Sequence, residues 1–169
     1  MNIISETERL LIREANLEDA SFMVDLLNSE GWLKYIGERN VKSVPDAEKY
    51  IQERYMESYK LIGFGFWILI EKVSQNPIGL CGIVKRPFLE DVDLGYALLA
   101  DYFGKGYAYE ACKEVLILAK TKFNLTTLIA VLQADNKASV NLLKKLEFQY
   151  EKDSLFDDGS LLAQYRINL

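Results

Sequence analysis

A strand-like segment, a turn with two glycines and an amphipathic helix follow one another between residues 91 and 121. Residues 91–99 have the length and residue pattern of a strand, and the turn FGKG comes shortly after them. The next segment repeats apolar residues at the spacing of one helix face, which predicts a helix over residues 105–121: Ala108, Ala111, Cys112, Val115, Leu116 and Ala119. Such a unit restricts the chain to folds in which helices pack on a sheet.

The remaining segments continue this mixture of strands and helices. Helices are predicted from Asn16 to about Glu30, from Ser43 to Gly63, and from Asn136 onwards. Strands are predicted over 8–14, 64–71, 77–86, 91–99, 126–132, 148–153 and 161–168, the last two joined by a turn at 157–159. The order β-α-α-β-β-β-α-β-α-β-β predicts a mixed α/β fold in one domain over 1–169, with an antiparallel meander over 64–99.

Composition excludes several classes of function. The chain carries 20 Lys and Arg against 25 Asp and Glu, a net charge of −5, which argues against a nucleic-acid binder that neutralises phosphates. It has no histidine and no metal-ligand spacing, so imidazole bases are excluded and no metal is expected. Apolar runs such as FGFWILI are too short to span a bilayer, and MNIISETER lacks a signal-peptide pattern, so we expect a cytoplasmic protein without a membrane partner.

The turn within FGKGYAYEA, at 103–111, suggests an anion site. A helix N-terminus has unpaired N–H groups and about half a positive charge. Gly104 and Gly106 remove side chains where a phosphate would approach the main chain, and Lys105 adds a cation. The spacing is neither that of a P-loop nor GxGxxG. The alternative is that the glycines only permit a tight turn and that Lys105 is solvated.

A second polar motif begins the segment NKASVNLLKKLEF. Asn136 is placed to cap this helix, and Ser139 lies in its first turn. By themselves these are ordinary capping residues. Together with the glycine turn, they would place polar groups on the adjacent strand end, so that two consecutive strand-helix units face one ligand.

These features together resemble the GNAT superfamily of N-acetyltransferases over essentially the whole chain. The most specific segments are LGYALLADYFGKGYAYEA at 94–111 and DNKASVNLLKKLEF at 135–148. The opening TERLLIR at 7–13 is similar to that of the branch with ribosomal-protein N-terminal acetyltransferases. The resemblance implies an acyl-CoA N-acyltransferase fold, acetyl-CoA as cosubstrate, and direct acetyl transfer to a primary amine of a peptide N-terminus or a small molecule.

The same resemblance implies which residues hold coenzyme A. The backbone amides of the turn would bind its pyrophosphate: Phe103, Gly104, Lys105, Gly106, Tyr107 and Ala108. The pantetheine arm would lie between splayed strands at 91–99 and 126–132, with Leu98 bonding it through the main chain. Asn136 and Ser139 would lie towards the thioester.

Three positions depart from the family pattern. Phe103 stands where Gln or Arg is usual, although an aromatic residue there is common in this branch. Glu147 replaces the glycine that usually precedes the phenylalanine ending the second motif. Leu143 replaces the tyrosine that many members use as general acid. Ser139 is then the remaining hydroxyl that could assist departure of the thiolate.

Acyl transfer also needs a group that removes a proton from the amine, because an amine with a pKa of about 10 is protonated at neutral pH. Strand alternation places Asp91 and Asp93 on one face. We expect Asp93 to be the base or to orient a water that acts as one, and a solvated strand end is the alternative. A backbone N–H near Leu98 or Leu99 could polarise the thioester oxygen.

The acceptor amine has no recognisable motif. By the resemblance, aromatic residues of the two-helix region border the acceptor groove, and Trp67 is a further candidate: Trp32, Tyr35, Tyr50, Tyr55 and Tyr59. The oligomeric state stays open, with a homodimer as one option. Two other functions also stay open, namely a non-catalytic acyl-CoA-binding regulatory module and an interaction domain without a cofactor.

Overall fold

A mixed β-sheet lies between two groups of helices in the structure, which is a computed structural model that describes residues 2–156 and 159–169. The described residues form the strands β1 (Ile3–Glu6), β2 (Leu10–Glu14), β3 (Phe66–Glu71), β4 (Pro77–Val84), β5 (Asp93–Leu98), β6 (Thr127–Leu132), β7 (Gln149–Leu155) and β8 (Leu161–Asn168). They also form the helices α1 (Ala20–Leu27), α2 (Glu30–Tyr35), α3 (Val44–Ile51), α4 (Glu57–Ile62), α5 (Tyr107–Thr121) and α6 (Lys137–Lys145).

The strand order confirms the predicted fold class. The sheet runs β1-β2-β3-β4-β5-β6-β8-β7. Neighbouring strands are antiparallel except β5 and β6, which are parallel. The meander predicted over 64–99 is β3-β4-β5. The parallel pair occurs where α5 connects β5 to β6, because a parallel connection requires a crossover.

Each face of the sheet has its own apolar core. On one face, α5 and α6 pack on residues such as Leu10, Cys81 and Leu98. On the other face, α1, α2 and α3 pack on residues such as Ile68 and Leu80. Alternate residues of a strand point to opposite faces, so a position in β5 determines which group of helices its side chain meets.

The N-terminal part differs from the prediction at two places. A strand was expected over 8–14 alone, but the chain adds β1, which pairs with β2 and is held by Glu14 N–H donating to the carbonyl of Asn2 at 3.0 Å. The first predicted helix ends at Leu27, because Asn28 caps α1 there, and a further helix that was not predicted, α2, begins at Glu30 with Ser29 as its N-cap. The turn predicted at 157–159 includes residues 157 and 158, which lie outside the described residues.

Local capping signals are used as the sequence predicts. Asn16 and Asp19 form a capping box, and Ser43 and Asp46 form another. Gly63 ends α4 in the left-handed region, with a φ of 81°. Asp19 also accepts hydrogen bonds from the buried Arg13 at 2.5 and 2.7 Å, which fastens α1 to β2.

None of the helices in the described part of the chain is both long and apolar enough to cross a bilayer. The single-domain organisation over 1–169 and the cytoplasmic location stay predictions.

Candidate active site

A gap in the sheet separates β5 from β6. The two strands pair where Asp93 faces Ile129, and Ile129 N–H donates to the carbonyl of Val92 at 3.0 Å. No further pair joins these strands among residues 2–156 and 159–169, whereas β5 pairs along its whole length with residues 79–84 of β4. Because β5 and β6 are parallel, their carboxyl ends, which lead to α5 and α6, lie at the same edge of the sheet.

The register of β5 shows which of its backbone groups face the gap. Leu99 N–H donates to the carbonyl of Ile78 at 2.9 Å, so it points towards β4. Successive N–H groups of a strand point to opposite edges, and Leu98 N–H therefore points towards β6. The backbone N–H of Tyr96 also points towards β6. Of the two residues considered for polarising a thioester oxygen, Leu98 is the one directed into the gap.

The turn before α5 depends on its two glycines. Gly104 has a φ of 70° and Gly106 a φ of 84°, both in the left-handed region that other residues enter at a cost. Gly106 is the residue before the first turn of α5, and no side chain from the described residues caps that turn. The N–H groups at the start of α5 are therefore available to an anion.

The other residues of the turn are held by neighbouring elements. The ring of Phe103 fills the space above Gly31 of α2, where an added Cβ would lie 3.4 Å from the ring. Lys105 is exposed, with its ammonium 5.4 Å from the centre of the Tyr102 ring. Tyr107 is buried and donates a hydrogen bond to the Glu71 carboxylate. Ala108 is half-buried against the core under α5.

A polar contact crosses from β5 to α6. Asn136 caps α6 by accepting a hydrogen bond from Ser139 N–H at 3.2 Å, as predicted. The hydroxyl groups of Ser139 and Tyr96 lie 2.8 Å apart and form a hydrogen bond. Burial raises the pKa of Tyr96 to about 12, so its hydroxyl is protonated at neutral pH. The sequence analysis missed Tyr96, and the only signal for it was its position in the predicted strand.

Asp93 lies at the closed end of the gap, on the other face of the sheet from Tyr96. Its side chain is 2% exposed, and its carboxylate accepts hydrogen bonds from Arg86 Nε at 3.1 and 3.2 Å. Burial raises the pKa of Asp93 above its ordinary value, although the Arg86 guanidinium opposes this shift. A buried carboxylate with a raised pKa has the properties of a general base, and the ion pair keeps it oriented.

The aromatic residues near the predicted acceptor groove divide into three groups. Trp32, Tyr55 and Trp67 are buried in the core, with exposures of 6%, 3% and 0%. Tyr59 has a structural role, because its hydroxyl donates to the Phe66 carbonyl and accepts from Ala15 N–H. Of the three partly buried residues, Tyr35 and Tyr50 remain candidates for acceptor contact.

Comparison with known proteins relates this geometry to a family. A model of the acetyltransferase (GNAT) domain matches residues 9–149. The uncharacterized N-acetyltransferase p20 of Bacillus licheniformis is 30% identical over an alignment of 169 positions, which covers 96% of this chain and 93% of that protein.

Two solved structures share the fold. An acetyltransferase from Agrobacterium tumefaciens str. C58 superimposes with a TM-score of 0.82 at 22% identity, with 98% of this chain and 94% of that chain covered. The ribosomal L7/L12 alpha-N-protein acetyltransferase RimL in complex with coenzyme A gives a TM-score of 0.83 at 15% identity, with 99% of this chain and 98% of that chain covered. The domain match and the similarity to p20 lead to one conclusion: this chain belongs to the GNAT family and is an N-acetyltransferase.

Proposed function

We propose that this protein transfers an acetyl group from acetyl-CoA directly to a primary amine. The observation that carries the proposal is the turn at 103–106, whose two left-handed glycines precede the uncapped start of α5 beside the gap between β5 and β6. A helix N-terminus of this kind favours phosphate, and a gap lined by unpaired backbone groups suits an extended amide-containing arm.

The residues present fit coenzyme A. The N–H of Phe103, expected from the sequence to bind the pyrophosphate, instead donates to the carbonyl of Ala100 at 3.0 Å. Backbone N–H groups from Gly104 to Ala108 would hold the pyrophosphate, and the exposed Lys105 would add a cation beside it. Leu98 N–H would bond the arm or the thioester oxygen, because it points into the gap. Asn136 and Ser139 would lie towards the reacting end. When bound, acetyl-CoA supplies the acetyl group as a thioester.

One group would take the proton of the amine and another would stabilise the departing thiolate, and the two lie on opposite faces of the sheet. Asp93 would accept a proton from the acceptor amine, directly or through an oriented water, because it shares its face with α1, α2 and α3, where the acceptor groove is expected. Ser139 would donate a hydrogen bond to the departing thiolate. Tyr96 is protonated and bonded to Ser139, so it would orient that hydroxyl. The two groups would then act from opposite sides of the gap.

The acceptor is proposed as a peptide N-terminus or a small-molecule amine. RimL is named as an acetyltransferase of ribosomal L7/L12, which favours a peptide α-amine as the first candidate to test. The net charge of −5 suits a cationic amine of either class. No observation favours the non-catalytic regulatory module.

The proposal is tested by measuring acetyl-CoA binding and amine-dependent thiol release with the purified protein. Saturable binding with release for one class of amine supports the enzyme and defines the acceptor class. Binding without release for any peptide or small-molecule amine would favour the regulatory module. Lack of acetyl-CoA binding would indicate that the glycine turn is only a connection between β5 and α5.

A further inference from the structure

The turn between β1 and β2 lies against the start of α5, although the two segments are about a hundred residues apart in the chain. Thr7 Oγ1 donates to Glu110 Oε1 at 2.5 Å, and Arg9 N–H donates to the same oxygen at 2.8 Å. Arg9 Nε and Nη2 both lie 2.7 Å from Glu110 Oε2. Glu110 therefore fixes the Arg9 guanidinium through an ion pair in which two guanidinium nitrogens lie against one carboxylate oxygen.

The Arg9 guanidinium also binds the glycine turn. Its Nη1 donates to the carbonyl of Lys105 at 2.9 Å. In a planar trans peptide, the carbonyl and the N–H point in opposite directions. The N–H of the Lys105–Gly106 peptide belongs to Gly106, so fixing the carbonyl on Arg9 turns this N–H away from Arg9. This N–H would therefore meet an anion bound on the side of the turn opposite Arg9.

Two further contacts place Arg9 directly behind the turn. Its guanidinium carbon lies 4.4 Å from the centre of the Tyr107 ring, a cation–π distance. A Cβ added to Gly106 would lie 3.3 Å from Arg9 Nη2. Gly106 thus serves two purposes, because it adopts a positive φ and leaves room for the guanidinium.

Arg9 also controls the charge at the start of α5. Burial would raise the pKa of Glu110, but hydrogen bonds from Thr7 and Arg9 outweigh it and hold the pKa below its ordinary value, so Glu110 is ionised at neutral pH. An uncompensated carboxylate in this first turn would repel a bound phosphate. The Arg9 guanidinium neutralises that carboxylate.

We propose that Arg9 is a positioning residue for the cofactor, which holds the Lys105–Gly106 peptide with its N–H directed at the pyrophosphate and neutralises Glu110 beside it. This inference rests on the proposed function. Only the planar, forked guanidinium can bind the Glu110 carboxylate and the Lys105 carbonyl together, so lysine is a poor substitute although it keeps the charge.

The test compares Arg9→Lys and Arg9→Gln with the wild-type protein. Arg9→Lys is expected to raise the KM for acetyl-CoA about tenfold with kcat almost unchanged, because a charged hydrogen bond is lost. Arg9→Gln is expected to raise it further, because Glu110 loses its counter-charge. Adding Glu110→Gln to Arg9→Gln should recover part of the loss, since the second change removes the repelling carboxylate. Arg54→Gln, at an exposed arginine in the segment between α3 and α4, is the matched control.

Acetyl-pantetheine, which has no pyrophosphate, separates positioning from a general structural effect. Arg9→Lys should leave KM for acetyl-pantetheine unchanged, and circular dichroism should show a folded protein. A folded Arg9→Lys with unaltered KM for acetyl-CoA, or with equal losses for both thioesters, would overturn the inference. A wild-type protein that binds no coenzyme A would instead overturn the proposed function, and this inference with it.

Discussion

A single charge placed in the glycine turn tests whether that turn binds a pyrophosphate. Gly104 has a φ of 70°, and a Cβ built on it has no atom within 4 Å. A side chain at this position therefore causes no steric clash, and the left-handed backbone is the one unfavourable contribution. Asp and Asn adopt that region more readily than other residues and have nearly the same shape. Gly104→Asp and Gly104→Asn therefore differ in charge alone.

The expected magnitude follows from Coulomb's law. At a separation of about 6 Å, two phosphate charges and one carboxylate repel by about 1.5 kcal/mol in bulk water and about twice that at an effective dielectric constant of about 40. Gly104→Asp should therefore bind coenzyme A about 10- to 100-fold more weakly than Gly104→Asn. The difference should shrink as salt is added, because the turn is exposed.

Calorimetric titration measures this ratio, with pantetheine as the phosphate-free ligand. The two Gly104 variants should bind pantetheine equally. Gly63 supplies the control position, because it has a φ of 81°, has no atom within 4 Å of its added Cβ and ends the distant helix α4. Gly63→Asp and Gly63→Asn should bind coenzyme A equally. Equal affinities of the two Gly104 variants for coenzyme A at low salt would refute the reasoning.

Three further predictions concern the catalytic groups and the core. In a thiol-release assay, Ser139→Ala is expected to lower kcat about 100-fold with little change in the KM for acetyl-CoA, and Tyr96→Phe is expected to lower kcat about tenfold. Unchanged turnover in Ser139→Ala would remove this hydroxyl from the mechanism. Asp93→Asn is expected to lower turnover and shift its pH profile. Because burial raises the pKa of Asp93, ionising this carboxyl costs the folded state more than the unfolded state. Denaturant titrations should therefore show wild type losing stability relative to Asp93→Asn as the pH rises above about 4, the ordinary pKa of an aspartate, and a constant difference would contradict this shift. Asp19→Asn should lower the free energy of unfolding by about 3 kcal/mol in urea, because Arg13 loses its buried partner, and a loss below about 1 kcal/mol would contradict that assignment.

The parts of the fold that follow local rules could be predicted from the sequence. The helix now seen as α5 has a long apolar stripe, and the caps at Asn16, Ser43 and Asn136 lie at fixed offsets from the residues they bind. The family motifs lie in the same segments. β1 was missed because it has only four residues, none of them fully buried, and it depends on pairing with β2.

The parts that depend on register or on distant pairs could not be predicted. Leu98 and Leu99 are adjacent apolar residues, and only the pairing of β5 with β4 determines which N–H faces the gap. Tyr96 and Ser139 are brought together by the parallel arrangement of β5 and β6. The Arg9–Glu110 contact likewise joins segments that have no local relationship. Each of these is a product of the tertiary fold.

The measurement that tests the central claim most directly is calorimetric titration of the purified protein with acetyl-CoA, followed by a thiol-release screen across peptide and small-molecule amines in the same sample. If the glycine turn holds the cofactor for acetyl transfer, acetyl-CoA should bind saturably and thiol should be released only in the presence of one class of amine. Absence of acetyl-CoA binding by the folded protein would contradict that claim.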